Sequence, residues 1–411
     1  MQYLPAHGWE VTVFTARLTQ AGPGVIESAY VDLPAALKAA VGLGGRSAHE
    51  TLNIAPAAHG ARRSFRQAIV AWGYRLTSYP DPHIGWLLPG RTALRDLLAR
   101  GGYDAVLSSS PPFTTDLMLA STAIHIPWVA DYRDLWGDSD YYASRVRQHI
   151  DRWLERWTLR RVSAVTTISE PMAQVLRSHR HDLPVEVVPN AFDELEWRNV
   201  PFEEELRATL VYAGQLFGGR RDPRPLFRAV RSLIDAGKVA PDDLRIDFYS
   251  VPEPWLAEAI AQANLAEVVC VRGLVSREEV MRAERRADRL LMFLWDGPST
   301  EGILTGKLFE YLGAQRRILA IGGPSRSAVD ELLSVTDAGL RARDDAAIRA
   351  EVFLAVAEHK AKTIRRVPAE NVAAYSAHEM ARAMARVLER VTGLRSHAPA
   401  CEPATAARYS P

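Results

Sequence analysis

The sequence predicts an α/β protein built from two facing Rossmann-like domains. Short apolar segments alternate with longer segments of helical periodicity, which is the pattern of parallel βα units. The alternation runs through two series, and a charged, turn-rich stretch at 193–207 separates them. A length of 411 residues suits two domains of ordinary size.

Composition and charge exclude several classes of protein. Hydrophobic residues make up 47% of the chain and charged residues 24%, as in globular proteins rather than disordered ones. Because 50 basic residues face 49 acidic ones, the formal charge of +1 argues against a nucleic-acid partner. The two cysteines, Cys270 and Cys401, cannot build a disulfide framework, which favours a reducing cytoplasm. The chain has neither an apolar run near about 18 residues nor the apolar core of a signal peptide, so a secreted or membrane-spanning protein is not expected.

Five strands are predicted in the first series, each a short block of apolar or β-branched residues: 10–15, 104–108, 127–131, 164–168 and 185–188. The stretch 143–161 predicts a helix, with apolar residues recurring at Val146, Ile150, Trp153, Leu154 and Trp157. We expect its two tryptophans to pack in the core. Residues 34–66 lack a complete dinucleotide-binding fingerprint and are predicted to form a surface loop.

The second series contains five further predicted strands: 209–212, 244–249, 268–271, 289–295 and 317–321. Ser276 followed by Glu279 is a capping box before a helix at 278–287, and Ser327 with Asp330 is a weaker version before 328–333. The predicted organisation is an N-terminal domain, a linker, a C-terminal domain, a final helix and a disordered tail, at 1–192, 193–208, 209–376, 377–392 and 393–411.

The segment 296–322 holds the most informative candidate site. A predicted strand opens into a loop of small residues, after which Thr305, Gly306 and Lys307 begin a helix anchored by Leu308. The amides of a helix N-terminus bind anions, and Thr305 and Lys307 add a hydroxyl and a cation. Glu310, one turn on, is placed to accept hydrogen bonds from ribose hydroxyls. The pattern indicates a nucleoside diphosphate site, although an ordinary strand–loop–helix connection capped by Thr305 fits it too.

The same segment, PSTEGILTGKLFEYLGAQRRILAI at 298–321, resembles the donor-site signature of retaining two-domain glycosyltransferases of the GT-B fold, family 4. Glu310 matches the family's second glutamate, which binds the nucleotide ribose. Gly302 stands at the position of the first glutamate, and Glu301 lies one residue earlier. The resemblance therefore implies a catalytic role for Glu301 if its side chain reaches the donor sugar from one residue earlier in the loop.

LVYAGQLFGGRRDPRP at 210–225 resembles the strand, glycine and basic loop that open the family's donor domain. Gly214 matches the family glycine, whereas Gln215 replaces a phosphate-binding arginine. The resemblance thus leaves the donor phosphates to Arg220 and Lys307, with Arg221 as a further candidate. Arg272 follows the predicted strand 268–271, where the base of the nucleotide packs in the family.

In the first half, SSSPPFTTDLMLA at 108–120 and PWVADYRDLWGD at 127–138 are similar to a subset of bacterial cell-surface glycosyltransferases. This similarity implies that Ser110, Arg133 and Asp134 face the acceptor or the donor sugar. Arg133 and Asp134 are equally well explained as a structural pair. His179 and His181 have no third ligand at a regular spacing, so no metal site is expected.

The N-terminus departs from the family pattern, which begins with a strand, a glycine-rich loop and a helix. Here residues 1–7 lead directly into the strand 10–15, so the first strand of the domain is expected to be missing. A sheet that lacks its central strand would lose more free energy than the ~5–15 kcal/mol by which a domain is stable. Two explanations are therefore open. Either the natural start lies about 20–30 residues upstream, which we favour, or the domain is rebuilt around another central strand.

The resemblance implies transfer of a sugar, with retention of configuration, from a nucleoside diphosphate to an acceptor hydroxyl in cell-surface glycan synthesis, with no metal or other cofactor. The acceptor is unidentified: a lipid-linked saccharide, a polysaccharide end or a small metabolite. A nucleotide-sugar epimerase and a non-catalytic nucleotide-sugar binder remain as alternatives. The basic stretch 59–67 followed by apolar 68–72 is a candidate for peripheral contact with an anionic membrane at its cytoplasmic face, although a solvated amphipathic helix explains it better.

Overall fold

The computed structural model describes residues 2–17, 22, 24–33, 78–138, 145–295, 297 and 300–394. Its strands are β1 Val13–Ala16, β2 Val25–Ser28, β3 Val106–Ser110, β4 Trp128–Tyr132, β5 Ala164–Thr167, β6 Val185–Val187, β7 Ala208–Ala213, β8 Leu244–Tyr249, β9 Val269–Val271, β10 Arg289–Leu294, β11 Ile318–Gly322 and β12 Gly339–Ala342. Its α-helices are α1 Leu87–Ala99, α2 Thr114–Ser121, α3 Arg145–Leu159, α4 Glu170–His179, α5 Glu194–Arg198, α6 Arg224–Asp235, α7 Pro254–Gln262, α8 Arg277–Arg286, α9 Gly306–Ala314, α10 Ala328–Thr336, α11 Asp345–Lys360, α12 Ala369–Val372 and α13 Ala377–Thr392.

The C-terminal half contains one six-stranded parallel sheet in the order β12-β11-β10-β7-β8-β9. Its central strands β7 and β10 are buried along nearly their whole length, as expected for a sheet covered by helices on both faces. All five predicted strands of this half are present, and β12 was missed because Gly339–Ala342 is short and only partly apolar. The capping prediction is confirmed, since Ser276 accepts a hydrogen bond from the amide of Glu279.

The N-terminal half has a four-stranded parallel sheet, β3-β4-β5-β6, and a separate parallel pair, β1-β2. Within the described residues no strand lies on the outer edge of β3, and β1 and β3 belong to separate sheets. An apolar groove of about 140 Å³ lies there, between Phe14 on β1 and Val106 on β3. The expected absence of the domain's first strand stays a prediction.

The predicted linker is not simply extended, because α5 lies within it and buries Trp197. The final helix α13 returns to the N-terminal half, where Met384 and Leu388 pack against Val129 and Val188. A short parallel bridge between Phe192 and Ser376 marks this second crossing. The chain therefore passes twice between its two halves.

The helix predicted at 143–161 is described from Arg145 as α3, but its orientation corrects the sequence analysis. Val146, Ile150 and Trp153 are exposed, whereas Asp151 and Glu155 are buried. Trp153 therefore does not pack in the core, although Trp157 is partly buried against it. The predictions for 34–66, for 59–72 and for the tail beyond 394 lie outside the described residues.

Candidate functional site

The candidate site lies at the carboxyl end of the six-stranded sheet, where the loop after β10 leads into α9. Thr305 is the N-cap of α9, yet its hydroxyl makes no capping hydrogen bond. Apart from its chain neighbours and the backbone of α9, no atom of the described residues lies within 4 Å of the position that a Cβ of Gly306 would take. The Thr305 side chain therefore does not cap the helix, and within the described residues the first amides of α9 and the Thr305 hydroxyl can face an anion.

Lys307 stands beside these amides between two carboxylates. Its Nζ lies 2.7 Å from Oε2 of Glu310 and 3.4 Å from Oε1 of Glu284. Burial raises the pKa of Glu284 to about 8, despite the opposing effect of Lys307. Glu284 is therefore largely neutral at pH 7, and Glu310 is the nearer carboxyl partner of Lys307. Leu308, fully buried, anchors this turn of the helix.

Glu310 is held from two sides. Besides Lys307, it accepts a hydrogen bond of 3.0 Å from Nη1 of Arg277, which also pairs with Glu196 of α5. Each carboxylate oxygen has a second lone pair, so a ribose hydroxyl can still donate to it. Sequence reasoning missed Arg277 and Glu284. The burial of Glu284 could have been predicted from the sequence, because Glu284 lies three residues after Met281 and so shares the apolar face of a capped helix.

The basic loop after β7 supplies one arginine to the pocket and leaves another at its rim. Gly214 has a φ of 145°, a backbone conformation that favours glycine. Arg221 lines the same pocket as Thr305 and Lys307. Arg220 is exposed, with its guanidinium 5.8 Å from the Trp295 ring, and Gln215 is exposed. The sequence analysis ranked Arg220 above Arg221, and the geometry reverses that order.

Arg272 already has a partner within the sheet. Its Nε donates to Asp247 at 3.0 Å, and Arg245 pairs with the other oxygen of the same carboxylate at 2.9 Å. Asp247 is almost fully buried on β8. The side chain of Arg272 therefore joins the ends of β8 and β9 and is not among those lining the pocket around Lys307.

Glu301 and Gly302 lie where the donor loop meets the N-terminal half. Glu301 is exposed on a cleft of about 640 Å³, whose opposite wall includes Arg152, Arg156 and His179. The Ser169 hydroxyl donates to the carbonyl of Gly302 at 2.7 Å. A Cβ on Gly302 would stand 2.9 Å from that hydroxyl, which is a steric reason for a glycine at this position.

Ser110 does not offer its hydroxyl to the cleft. It is 1% exposed and donates at 2.5 Å to Asp116, which also accepts from Ser108 at 2.8 Å. Burial raises the pKa of Asp116 to about 7. The expected role of Ser110 toward acceptor or sugar is therefore replaced by a structural one.

Arg133 pairs with Asp131 at 2.7 Å, so the suggested structural pair with Asp134 is wrong. Its Nη1 also donates to the Val188 carbonyl at 3.0 Å and lies 3.3 Å from Oδ1 of Asn190. Asn190 in turn donates to the carbonyl of Leu304, just before the α9 N-terminus. Arg133 thus supports the contact between the halves. Asp134 is half-buried, and this burial raises the pKa of its carboxyl to about 6.

His179 has neighbours that its sequence surroundings did not reveal. Its Nε2 lies 3.1 Å from Asp138, and its Nδ1 lies 3.1 Å from Glu155. These carboxylates raise the pKa of His179 to about 9, with Asp138 contributing most. All three groups are of metal-ligand type. However, the two ring nitrogens face different carboxylates, and this arrangement suits an imidazolium ion better than one shared metal ion.

Comparisons with known proteins bear on the fold and on the first half of the chain. Residues 1–194 match the family model described as Glycosyltransferase Family 4. A comparison with curated protein sequences returns no significant match. Sucrose-phosphate synthase from Thermosynechococcus elongatus superposes with a TM-score of 0.61 at 14% identity, over 95% of this chain and 91% of that one. The chain has the GT-B fold.

Two further solved structures are similar over a smaller share of the chain. HepE of Anabaena, in complex with UDP, has a TM-score of 0.52 at 13% identity, over 75% of this chain and 84% of its own. The pneumococcal O-GlcNAc transferase GtfA, in complex with UDP and GlcNAc, has a TM-score of 0.50 at 12% identity, over 74% and 60%. With the family match, these likenesses support a glycosyltransferase in general terms. In the described part of the chain, no helix combines the length and apolarity needed to cross a bilayer.

Proposed function

We propose that this protein is a glycosyltransferase that moves a sugar from a nucleoside diphosphate to an acceptor hydroxyl, with retention of configuration. The observation that supports the proposal is the grouping of the α9 N-terminus, the Thr305 hydroxyl, Lys307 and Arg221 around one pocket, where no described residue caps the helix through a side chain. These groups are what a diphosphate requires. The UDP complexes of HepE and GtfA are consistent with such a donor.

The proposed chemistry uses the same groups to stabilise the departing diphosphate. Amides, a lysine and an arginine aimed at the place where negative charge develops lower the barrier electrostatically. The carbon–oxygen bond to the phosphate breaks, the acceptor oxygen bonds to the sugar carbon, and a departing phosphate oxygen takes the acceptor proton. Glu310 would hold the ribose and Glu301, across the cleft from Arg152, the sugar hydroxyls. This mechanism needs no metal ion.

A nucleotide-sugar epimerase has one observation in its favour, because the cleft wall carries a histidine and carboxylates beside Glu301. The geometry weakens this reading. With a pKa of about 9 and a carboxylate against each nitrogen, His179 is protonated at pH 7 and has no free lone pair to act as a base. Donor turnover without any acceptor would nevertheless select the epimerase over the transferase.

The first experiment is the melting temperature of the purified protein with UDP, GDP, dTDP, ADP and their common sugars. A ligand at 100 times its dissociation constant adds about 2.7 kcal/mol to stability, which is readily measured. A selective shift supports the donor site and identifies the base. If a cooperatively melting protein ignored every nucleotide, the proposal would be wrong.

Two glutamates separate nucleotide binding from sugar transfer. We expect Glu310→Ala to weaken binding of the bare nucleoside diphosphate, because it removes the ribose acceptor and the partner of Lys307. Glu301→Ala should spare that binding and lower turnover of the sugar donor. Exposed Glu267 is a matched control for the loss of one surface carboxylate. Equal effects of Glu310→Ala and Glu301→Ala on the bare nucleotide would contradict these roles.

A further inference from the structure

The helix α3 presents an apolar stripe to solvent. Val146 is 71% exposed, Ile150 45% and Trp153 64%. At 100° per residue, these three side chains fall within about 60° of one another around the helix. The stripe extends over two turns, and the Trp153 ring lies at its C-terminal end.

The opposite side of α3 explains why the stripe cannot turn inward. Asp151 and Glu155 are fully buried. The Asp151 carboxylate accepts hydrogen bonds from the Tyr79 hydroxyl at 2.8 Å and from Nε1 of Trp136 at 3.2 Å. Rotating the helix would separate Asp151 from these partners and Glu155 from His179, at a larger cost than the gain from covering the apolar stripe. The orientation is therefore fixed by the polar face.

The exposed charge that α3 itself carries has one sign. Asp151 and Glu155 are the acidic residues of α3, and both are buried, so none of its acidic groups reaches the surface. Exposed arginines lie along one side of the stripe at Arg145 and Arg156 and follow the helix at Arg160. Aliphatic and tryptophan side chains bordered by arginines are the composition of helices that lie in the interface of anionic membranes.

We propose that this surface, hereafter the α3 outer face (Val146, Ile150 and Trp153 with Arg145 and Arg160), binds the surface of an anionic lipid bilayer. The apolar side chains enter the boundary between headgroups and acyl chains, and the arginines pair with lipid phosphates. Three apolar side chains are too few for the ~800 Å² per partner of a stable protein interface, whereas they suffice for reversible membrane contact. The proposal does not depend on the donor site.

The test is flotation of the full-length protein with vesicles of phosphatidylglycerol and phosphatidylcholine in equal parts, compared with phosphatidylcholine alone. We expect binding to the anionic vesicles, loss of that binding at high salt, and weak binding to the neutral ones. Arg145→Gln with Arg160→Gln should lower the partition coefficient on the order of twentyfold, since each arginine near the surface contributes about fivefold. Trp153→Ser should lower it at least about fivefold.

Matched variants distinguish the α3 outer face from a general effect. Arg326→Gln with Arg386→Gln removes two exposed arginines elsewhere, and Val335→Ser removes a 70% exposed apolar side chain. Both controls should float like the parent, and all variants should keep the parent's melting temperature. The proposal is overturned if the parent does not bind anionic vesicles. It is equally overturned if the α3 variants bind as well as the control variants, which is the result expected if residues 59–72 alone contacted the membrane. It is also overturned if Trp153→Ser instead abolishes a concentration-dependent dimer.

Discussion

The two halves of the molecule organise the same βα units differently. The C-terminal half forms one continuous six-stranded sheet, whereas the N-terminal half is divided between four strands and two. The continuous sheet places the ends of β7 and β10 side by side, and the pocket around Lys307 lies at that edge. The divided half contributes a wall of the cleft through α3 and α4 instead. A continuous sheet edge thus builds the diphosphate site, and helices of the other half face it.

The same contrast appears in two helices of similar periodicity. α6 buries Leu226, Phe227 and Leu233 in the ordinary way. α3 buries Asp151 and Glu155 and exposes its apolar residues. Periodicity predicts that a helix has two faces, but the partners available inside the fold decide which face is buried.

The largest expected effect is on the buried ion cluster that fixes α11 to the continuous sheet. Arg289, fully buried at the start of β10, pairs with Glu351 at 2.7 Å and with Glu358 at 2.8 Å. Arg289→Met should lower the free energy of unfolding by about 3–5 kcal/mol, because two buried carboxylates lose their cation. Urea unfolding measures this loss. Adding Glu351→Gln and Glu358→Gln should restore a large part of it, and no restoration would mean that packing, not charge, was lost.

The corresponding cluster of the N-terminal half is centred on His179 and should make stability depend on pH. Because its folded pKa of about 9 lies above the unfolded value of 6.5, its contribution is complete below about pH 6.5 and is lost as the pH rises through 9. The shift corresponds to at most about 3 kcal/mol. The difference in unfolding free energy between the parent and His179→Gln should therefore be larger at pH 6 than at about pH 9.5. An equal difference at both values would show that the ion pairs contribute nothing.

These two clusters also show how far the sequence could be read. The strands and capped helices of the C-terminal half follow from local patterns, and so do Thr305, Lys307 and Glu310, which lie on one loop and one helix. The partners of His179 come from segments 24 and 41 residues away in the chain, and no local pattern pairs them. Ser110 was misassigned because its acceptor, Asp116, lies on the following helix and points back under the strand. Contacts set by tertiary packing were the part that could not be predicted.

At the pocket itself, Lys307→Met should weaken binding of a nucleoside diphosphate about 10- to 100-fold, since a charge-assisted contact to phosphate contributes about 1.5–3 kcal/mol. Isothermal titration with the nucleotide that raises the melting temperature measures this change. Lys360→Met is the control, because Lys360 forms an exposed ion pair with Asp243, which directly precedes β8 and so lies at the opposite end of the sheet from the pocket. Unchanged affinity in Lys307→Met would remove the phosphate role assigned to this residue.

The smallest expected effect lies at the contact between the halves. Gly302→Ala places a Cβ 2.9 Å from the Ser169 hydroxyl and 3.1 Å from Met172, so the donor loop must shift away from α4. The φ of Gly302 is not in the left-handed region, so the effect is steric and should cost about 1 kcal/mol. Adding Ser169→Ala removes the nearest atom, and the double-mutant cycle should show a favourable coupling between the two changes.

The same pair tests whether the two halves work as one site. If the halves must meet at this point for transfer, Gly302→Ala should lower sugar turnover while leaving binding of the bare nucleotide unchanged, since Lys307 and Arg221 belong wholly to the C-terminal half. Ser169→Ala added to it should recover part of the turnover. If Gly302→Ala instead lowered nucleotide affinity and turnover by the same factor, the substitution would act by displacing the α9 N-terminus. The contact between the halves would then not be needed to explain why residue 302 is a glycine.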